Sequence, residues 1–125
     1  MIKMEELITL LMQSRNLLHV LHLKALGSGS YAEHIALGGL YDTLPNHIDS
    51  LAETYQGITE ELLNLNTFPE YTTTSGTSLD YVKFINRTIS NIRNKEELKH
   101  SVIQNMIDTL QGDFYTTIYK LRFLK

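Results

Sequence analysis

The sequence predicts an all-α fold: a four-helix bundle with a short extra helix in the connection between helices two and three. Three observations lead there. Apolar residues recur at helical spacing in four separate segments. The breaks between segments fall at glycine, proline and threonine-rich stretches. The composition, 42% hydrophobic and 20% charged over 125 residues, is that of one globular domain able to bury a core.

The first helix is expected from about Ile2 to Leu26. Leu7, Leu10, Leu11, Leu17, Leu18 and Leu21 form its apolar face, with Ser14 as a polar interruption. Gly27-Ser28-Gly29-Ser30 breaks it. The second helix runs from about Ser30 to Tyr55, packing through Ile35, Leu37, Leu40, Tyr41, Leu44, Ile48, Leu51 and Ala52, with Gly57 as a stop. Pro45 lies inside it, removes one backbone donor, and predicts a kink or a restart. Thr59 is placed to cap the short helix, Glu60 to Leu65, and the polar stretch from Asn66 to Thr77 reads as a loop. Thr77 or Ser78 opens the third helix, carried by Leu79, Val82, Ile85, Ile89 and Ile92. Asn94 with Glu97 three residues on resembles a capping box for the fourth, carried by Leu98, Val102, Met106, Ile107, Leu110, Phe114, Ile118 and Leu121. Gly112 inside that helix costs about 1 kcal/mol relative to alanine.

Several chemistries are excluded or disfavoured. Without cysteine there is no disulfide, zinc-thiolate site or cysteine nucleophile, so any metal must be held by histidine and carboxylate. No apolar run is long enough to span a membrane, the amphipathic first helix has no basic face, and the acidic start is not a signal peptide, so a cytoplasmic location is the default expectation. The net charge of −3 gives no overall attraction to nucleic acid, and Lys120, Arg122 and Lys125 read most simply as a solvated helix end.

Five histidines (His19, His22, His34, His47, His100) and the acids Asp42, Asp49 and Glu53 supply the metal-type candidates. Asp49 and Glu53 are four apart and share a helix face, which suits two oxygen ligands or an ordinary solvated surface. His19 and His22, three apart, could chelate, although core or surface placement of His19 is the simpler reading. Glu97-Leu98-Lys99-His100 is the sole Glu-x-x-His motif; a di-iron centre inside one bundle uses two. Glu97 is better explained as a capping acid. His47 and His100 are given no metal role, and the tyrosines read as packing residues, with Tyr31 and Tyr41 able to line a site.

The intervals between these residues carry a resemblance. His22, Gly27, His34, Asp49 and the Ala52-Glu53 pair, together with the run from Tyr41 to Glu53, resemble the first two helices of the Dps-type mini-ferritins over about residues 17 to 57. The resemblance implies a ferritin-like bundle and an iron site shared between two subunits. In it, His22 and His34 are nitrogen ligands, Glu53 is a bridging or direct oxygen ligand, and Asp49 is a direct or second-layer oxygen. It also implies ferrous iron oxidised by peroxide or oxygen, and mineral stored in a homo-oligomeric cage. The later helices agree only in length and kind. The family's usual acid four residues after the second histidine is replaced by Gly38, its tryptophan after the first histidine by Leu23, and the aromatic before the second histidine is displaced to Tyr31. The missing acid argues against a complete two-iron centre and leaves a single or partial di-iron site as the expectation. The lysine-rich arm used by many members to hold DNA is absent from this sequence, so DNA binding by that route is not expected.

The spacing has a consequence independent of the name. Along a continuous helix His34 and Asp49 lie roughly 22 Å apart at 1.5 Å per residue. They can meet only if an antiparallel copy of the helix lies alongside, two-fold related, giving two sites per dimer. Gly38 and Gly39 then permit either a close approach or a local bend. Two alternatives stay open: a non-catalytic helical-bundle homodimer or interaction protein with a degenerate metal site, and a HEPN-type ribonuclease. The latter rests on the spacing of Arg93 and His100, which Arg15 and His22 repeat.

Overall fold

A computed structural model describes residues 2–65 and 76–125, and those residues are helical with no strand among them. The elements are α1 (Lys3–Lys24), α2 (Ser30–Thr59), α3 (Ser78–Arg93), a single 3-10 turn (Glu96–Leu98) and α4 (Ser101–Phe123). Leu7, Leu11 and Leu18 of α1, Leu37, Leu44 and Leu51 of α2, Val82 and Ile89 of α3, and Ile107, Leu110 and Phe114 of α4 meet in one fully buried core. No described helix is long and apolar enough to cross a membrane.

Four contacts fix the topology. α1 and α2 form a hairpin, and α3 and α4 a second one; α1 packs on α3 and α2 on α4. Ser78, at the start of α3, donates to Glu33 near the start of α2 at 2.5 Å. Lys125, past the end of α4, lies against Gly29 at the start of α2. Glu97, just before α4, accepts from the Lys3 backbone N–H at the start of α1. Helices α1 and α4 therefore run one way and α2 and α3 the other, and the connection from Glu60 to Thr77 joins opposite ends of the bundle.

The α1–α2 turn needs its glycines. Gly27 and Gly29 have φ of 97° and 80°, a region that side-chain-bearing residues avoid, and Ser30 N–H closes the turn on the Gly27 carbonyl. Helix α2 runs unbroken through Pro45, so the expected restart does not occur. Leu44, Ile48 and Leu51 are buried around it, and their packing holds the helix despite a proline cost of about 3 kcal/mol.

Two expected elements are corrected. The short helix from Glu60 to Leu65 does not form. Instead Glu60 takes a left-handed conformation (φ 58°, ψ 27°) and caps α2 by donating to the Gln56 carbonyl. The chain then leaves the helix axis, with the Leu63 and Asn64 N–H groups held by the side chains of Gln56 and Glu5. The extra turn of helix lies between α3 and α4 instead. Likewise Asn94 ends α3 rather than opening α4, and His100 is the cap of α4, its Nδ1 accepting from the Val102 N–H. Glu97 is freed to serve as a cap for α1, ninety-four residues away. The third helix starts as its sequence indicates: Thr77 and Asp80 exchange hydrogen bonds in a capping box. Of the expected loop from Asn66 to Thr77, residues 66–75 lie outside the described residues.

Candidate metal site

The hairpin of α1 and α2 brings His22 and His34 face to face. Their rings stack with centroids 3.5 Å apart and planes 20° from parallel. Each ring donates through Nδ1 to the backbone carbonyl of the other residue, His22 to His34 at 2.6 Å and His34 to His22 at 2.8 Å. A carbonyl can only accept, so both Nδ1 atoms carry hydrogen. In the neutral imidazole this leaves each Nε2 with a free lone pair. Backbone-locked Nδ1–H with Nε2 unspent is the arrangement by which proteins fix a metal-binding histidine. The His22 carbonyl belongs to the last turn of α1, where no helical partner exists, so His34 also satisfies an orphan acceptor.

Gly38 is explained by this pair. A β-carbon there would lie 3.0 Å from Cε1 and 3.1 Å from Nδ1 of His22, a tighter contact than most side chains make. The acid that the mini-ferritin pattern places at this position would require the imidazole to shift by a few tenths of an ångström. The close approach expected of the glycines is thus real for Gly38, and its partner is a side chain of the same subunit. Gly39 faces open space.

Behind the pair, His19 stacks on Tyr41 at 4.6 Å, and the Tyr41 ring meets His22 edge-on at 5.2 Å. The Arg15 guanidinium lies 5.9 Å from the Tyr41 centroid, and its buried Nε has no hydrogen-bond partner among the described residues. Tyr31, by contrast, is exposed at the start of α2.

Asp49 and Glu53 are both exposed on α2, on the continuous rod that also carries His34. Within one chain no three His, Asp or Glu residues among those described are grouped to hold a metal. The structure therefore joins two of the four candidate ligands, His22 and His34, and leaves the two acids apart from them. The lone pair of an imidazole lies in its ring plane, so two stacked rings cannot both aim at one ion. They address two separate positions.

The remaining candidates are engaged elsewhere. His47 bonds through Nε2 to Asp113 of α4 at 2.6 Å, tying α2 to α4, a pairing that sequence separation hid. Arg93 spends Nε on Gln104, Nη1 on Gln111, and Nη2 on Gln104 and Asp108. Gln111 in turn donates to Asn86 and Ser90. Arg93 and His100 thus occupy separate structural roles, one as the hub of a polar network and the other as a helix cap.

No solved structure matches the chain. A relative 29% identical over 119 residues, spanning 95% of this chain and 88% of its own length, is an uncharacterized 14.6 kDa protein in the mobD-ri intergenic region of Enterobacteria phage T4. Residues 22–121, which begin at the first histidine of the stacked pair and run through the last core residue of α4, match a family of unknown function, and the chain belongs to that family, DUF5856.

Proposed function

We propose that this protein is a mini-ferritin-like iron-binding subunit that completes its site with a second copy of itself. The observation that carries the reading is the His22–His34 pair, two imidazoles locked by backbone carbonyls with both Nε2 atoms unspent. The bundle topology supports it: two hairpins joined by one long crossover, with α2 and α3 parallel, is the connectivity of ferritin-like folds. The unbroken α2 rod supports it further, since Asp49 and Glu53 stand exposed roughly 22 Å from His34 and need an antiparallel partner helix to reach a histidine.

The residues fit the donor chemistry of iron. Nitrogen and carboxylate ligands with open coordination positions suit redox-active iron, which would pass electrons to peroxide or oxygen. His22 and His34 would each hold one position, and Glu53 of the partner chain, with Asp49 beside it, would supply the oxygens. Gly38 leaves the set one acid short of the mini-ferritin pattern, so ferroxidase turnover and mineral storage are expected to be weaker than a full ligand set would give.

Anaerobic ferrous titration followed by peroxide addition tests this. Wild type should bind iron and oxidise it, while His34→Ala and Asp49→Ala should each lose binding. Equal binding in all three would refute the reading, as would a monomeric mass in the presence of iron. The same reciprocal hydrogen bonds favour one second reading, a non-catalytic bundle in which the histidines only clasp the hairpin. In that case His34→Ala lowers stability and ferrous ion binds to neither protein.

A further inference from the structure

Charge is segregated along this chain. Residues 1–77 carry three Lys or Arg and nine Asp or Glu, whereas residues 78–125 carry eight and five. Among the helices, α2 carries four acids and no Lys or Arg, α3 carries three Lys or Arg and one acid, and α4 carries two of each. Several acids on the basic side are already engaged: Asp108 is paired with Arg93, Asp113 with His47, and Asp80 with the α3 cap. Lys83, Arg87, Lys120 and Arg122 are exposed, and none has an acidic partner within salt-bridge distance among the described residues, although Lys83 and Arg87 act at longer range on Asp80; Lys125 lies against Gly29 of the α2 start instead.

The same surface exposes aromatic rings. Tyr115, Tyr119 and Phe123 are spaced four apart, so they form one stripe along the last turns of α4, and they are 61%, 54% and 68% exposed. The Tyr119 and Phe123 rings lie 5.7 Å apart. Helices α3 and α4 are antiparallel, and Gln111 bonds to Asn86 and Ser90. One turn further along that register, Tyr115 is level with the turn from Val82 to Asn86, which carries Lys83. A ring stripe flanked by cations on both helices results.

We propose that this α3–α4 face binds single-stranded nucleic acid. Exposed rings offer stacking platforms to unpaired bases of any sequence, and the flanking cations follow the phosphates. A duplex hides its bases and would use the cations alone. The face is separate from the histidine pair on α1 and α2, so it functions whether or not iron binds.

Fluorescence anisotropy of a labelled oligothymidine of about 16 nucleotides tests the proposal on the metal-free full chain. A duplex of equal length serves as control. Single strand should bind more tightly than duplex, and raising salt from about 50 to about 200 mM should weaken it about 20-fold if three phosphates are contacted. Tyr119→Ala with Phe123→Ala should cost at least about fivefold per ring. Lys120→Gln with Arg122→Gln, at exposed positions, should weaken binding and flatten the salt dependence; this variant decides the matter if the ring variant unfolds. His34→Ala should bind like wild type. Absence of binding at low salt, equal affinity for duplex, or indifference to loss of the rings would overturn the proposal. So would a wild-type oligomer that dissociates in the ring variant, since the face would then be occupied by a second copy.

Discussion

At the α1–α2 hairpin, His22 and His34 each give one nitrogen to a backbone carbonyl and keep the other. Between α3 and α4, Arg93 gives Nε, Nη1 and Nη2 to Gln104, Gln111 and Asp108, and Gln111 passes the network on to Asn86 and Ser90. Both are polar groups pressed against the same core. The Arg93 cluster is closed, with its donors matched to acceptors inside the protein, and such a cluster fixes helix register. The histidine pair is open, with a lone pair left on each ring, and such a cluster can take a ligand. Residual valence, more than residue type, separates a structural polar cluster from a candidate site.

Replacing the hub of the closed cluster should have the largest effect on folding. Arg93→Ala removes several charge-assisted hydrogen bonds and strands the Oε1 acceptor of buried Gln111, a loss of about 3 kcal/mol in urea denaturation. Iron binding should be untouched in the fraction that stays folded. A cost below about 1 kcal/mol would mean that Gln104 and Gln111 find other partners, and the contrast between the two clusters would fail.

His34→Ala should be milder for folding and decisive for the ligand. It removes the bond from the His34 ring to the His22 carbonyl and unstacks the pair in a half-exposed setting, while the backbone carbonyl of residue 34 still accepts from His22, a cost of about 1 kcal/mol. On the proposed reading, ferrous ion should be lost from the position that His34 addresses. The inverse pattern, large destabilisation with binding retained, would make the pair a clasp alone.

How far these two clusters could be read from the sequence differs for a physical reason. The interval from His22 to His34 spans a tight hairpin whose glycines mark its position, so local spacing places the rings near each other. The Arg93 cluster is built from Gln104 and Gln111, which on a helix in isolation look like solvent-facing residues; only the antiparallel packing of α3 on α4 reveals them. The same holds for Glu97. Its acid three residues after Asn94 suggested a local cap, yet its partner is the Lys3 N–H at the far end of the chain. The four long helices were legible because burial imposes a period on them. The stretch from Glu60 to Leu65 misled because its helix-forming composition is overridden by a left-handed residue at Glu60 and by anchors on Gln56 and Glu5.

Adjacent glycines sharpen the comparison at smaller scale. Both Gly38 and Gly39 are helical, and alanine is intrinsically better there by about 1 kcal/mol. Gly39→Ala meets open space and should stabilise by nearly that amount. Gly38→Ala puts a methyl group 3.0 Å from the His22 ring and should forgo much of the gain, because the ring must shift by a few tenths of an ångström against its hydrogen bond to the His34 carbonyl. Thermal melts of the two variants side by side decide it. If both stabilise equally, the imidazole is free to move, and the locked geometry on which the metal reading rests is not maintained.

The smallest effect is expected at the start of α3, where the bundle holds a charge with no bearing on either cluster. Hydrogen bonds from the Thr77 backbone and side chain hold the Asp80 carboxyl below the ordinary aspartate value of 3.8, with Lys83 and Arg87 adding to the same direction. A carboxyl whose pKa is lower folded than unfolded stabilises the fold at pH above its unfolded value, and that contribution disappears as pH falls through the folded value. Asp80→Asn keeps an acceptor for the Thr77 N–H but removes the charge. Wild type should therefore melt slightly above the variant at neutral pH, and the two melting curves should converge as pH falls through the lowered folded value. A gap that persists in acid would show that the carboxylate charge is not what the α3 cap uses, and that side-chain shape alone sets the start of the helix.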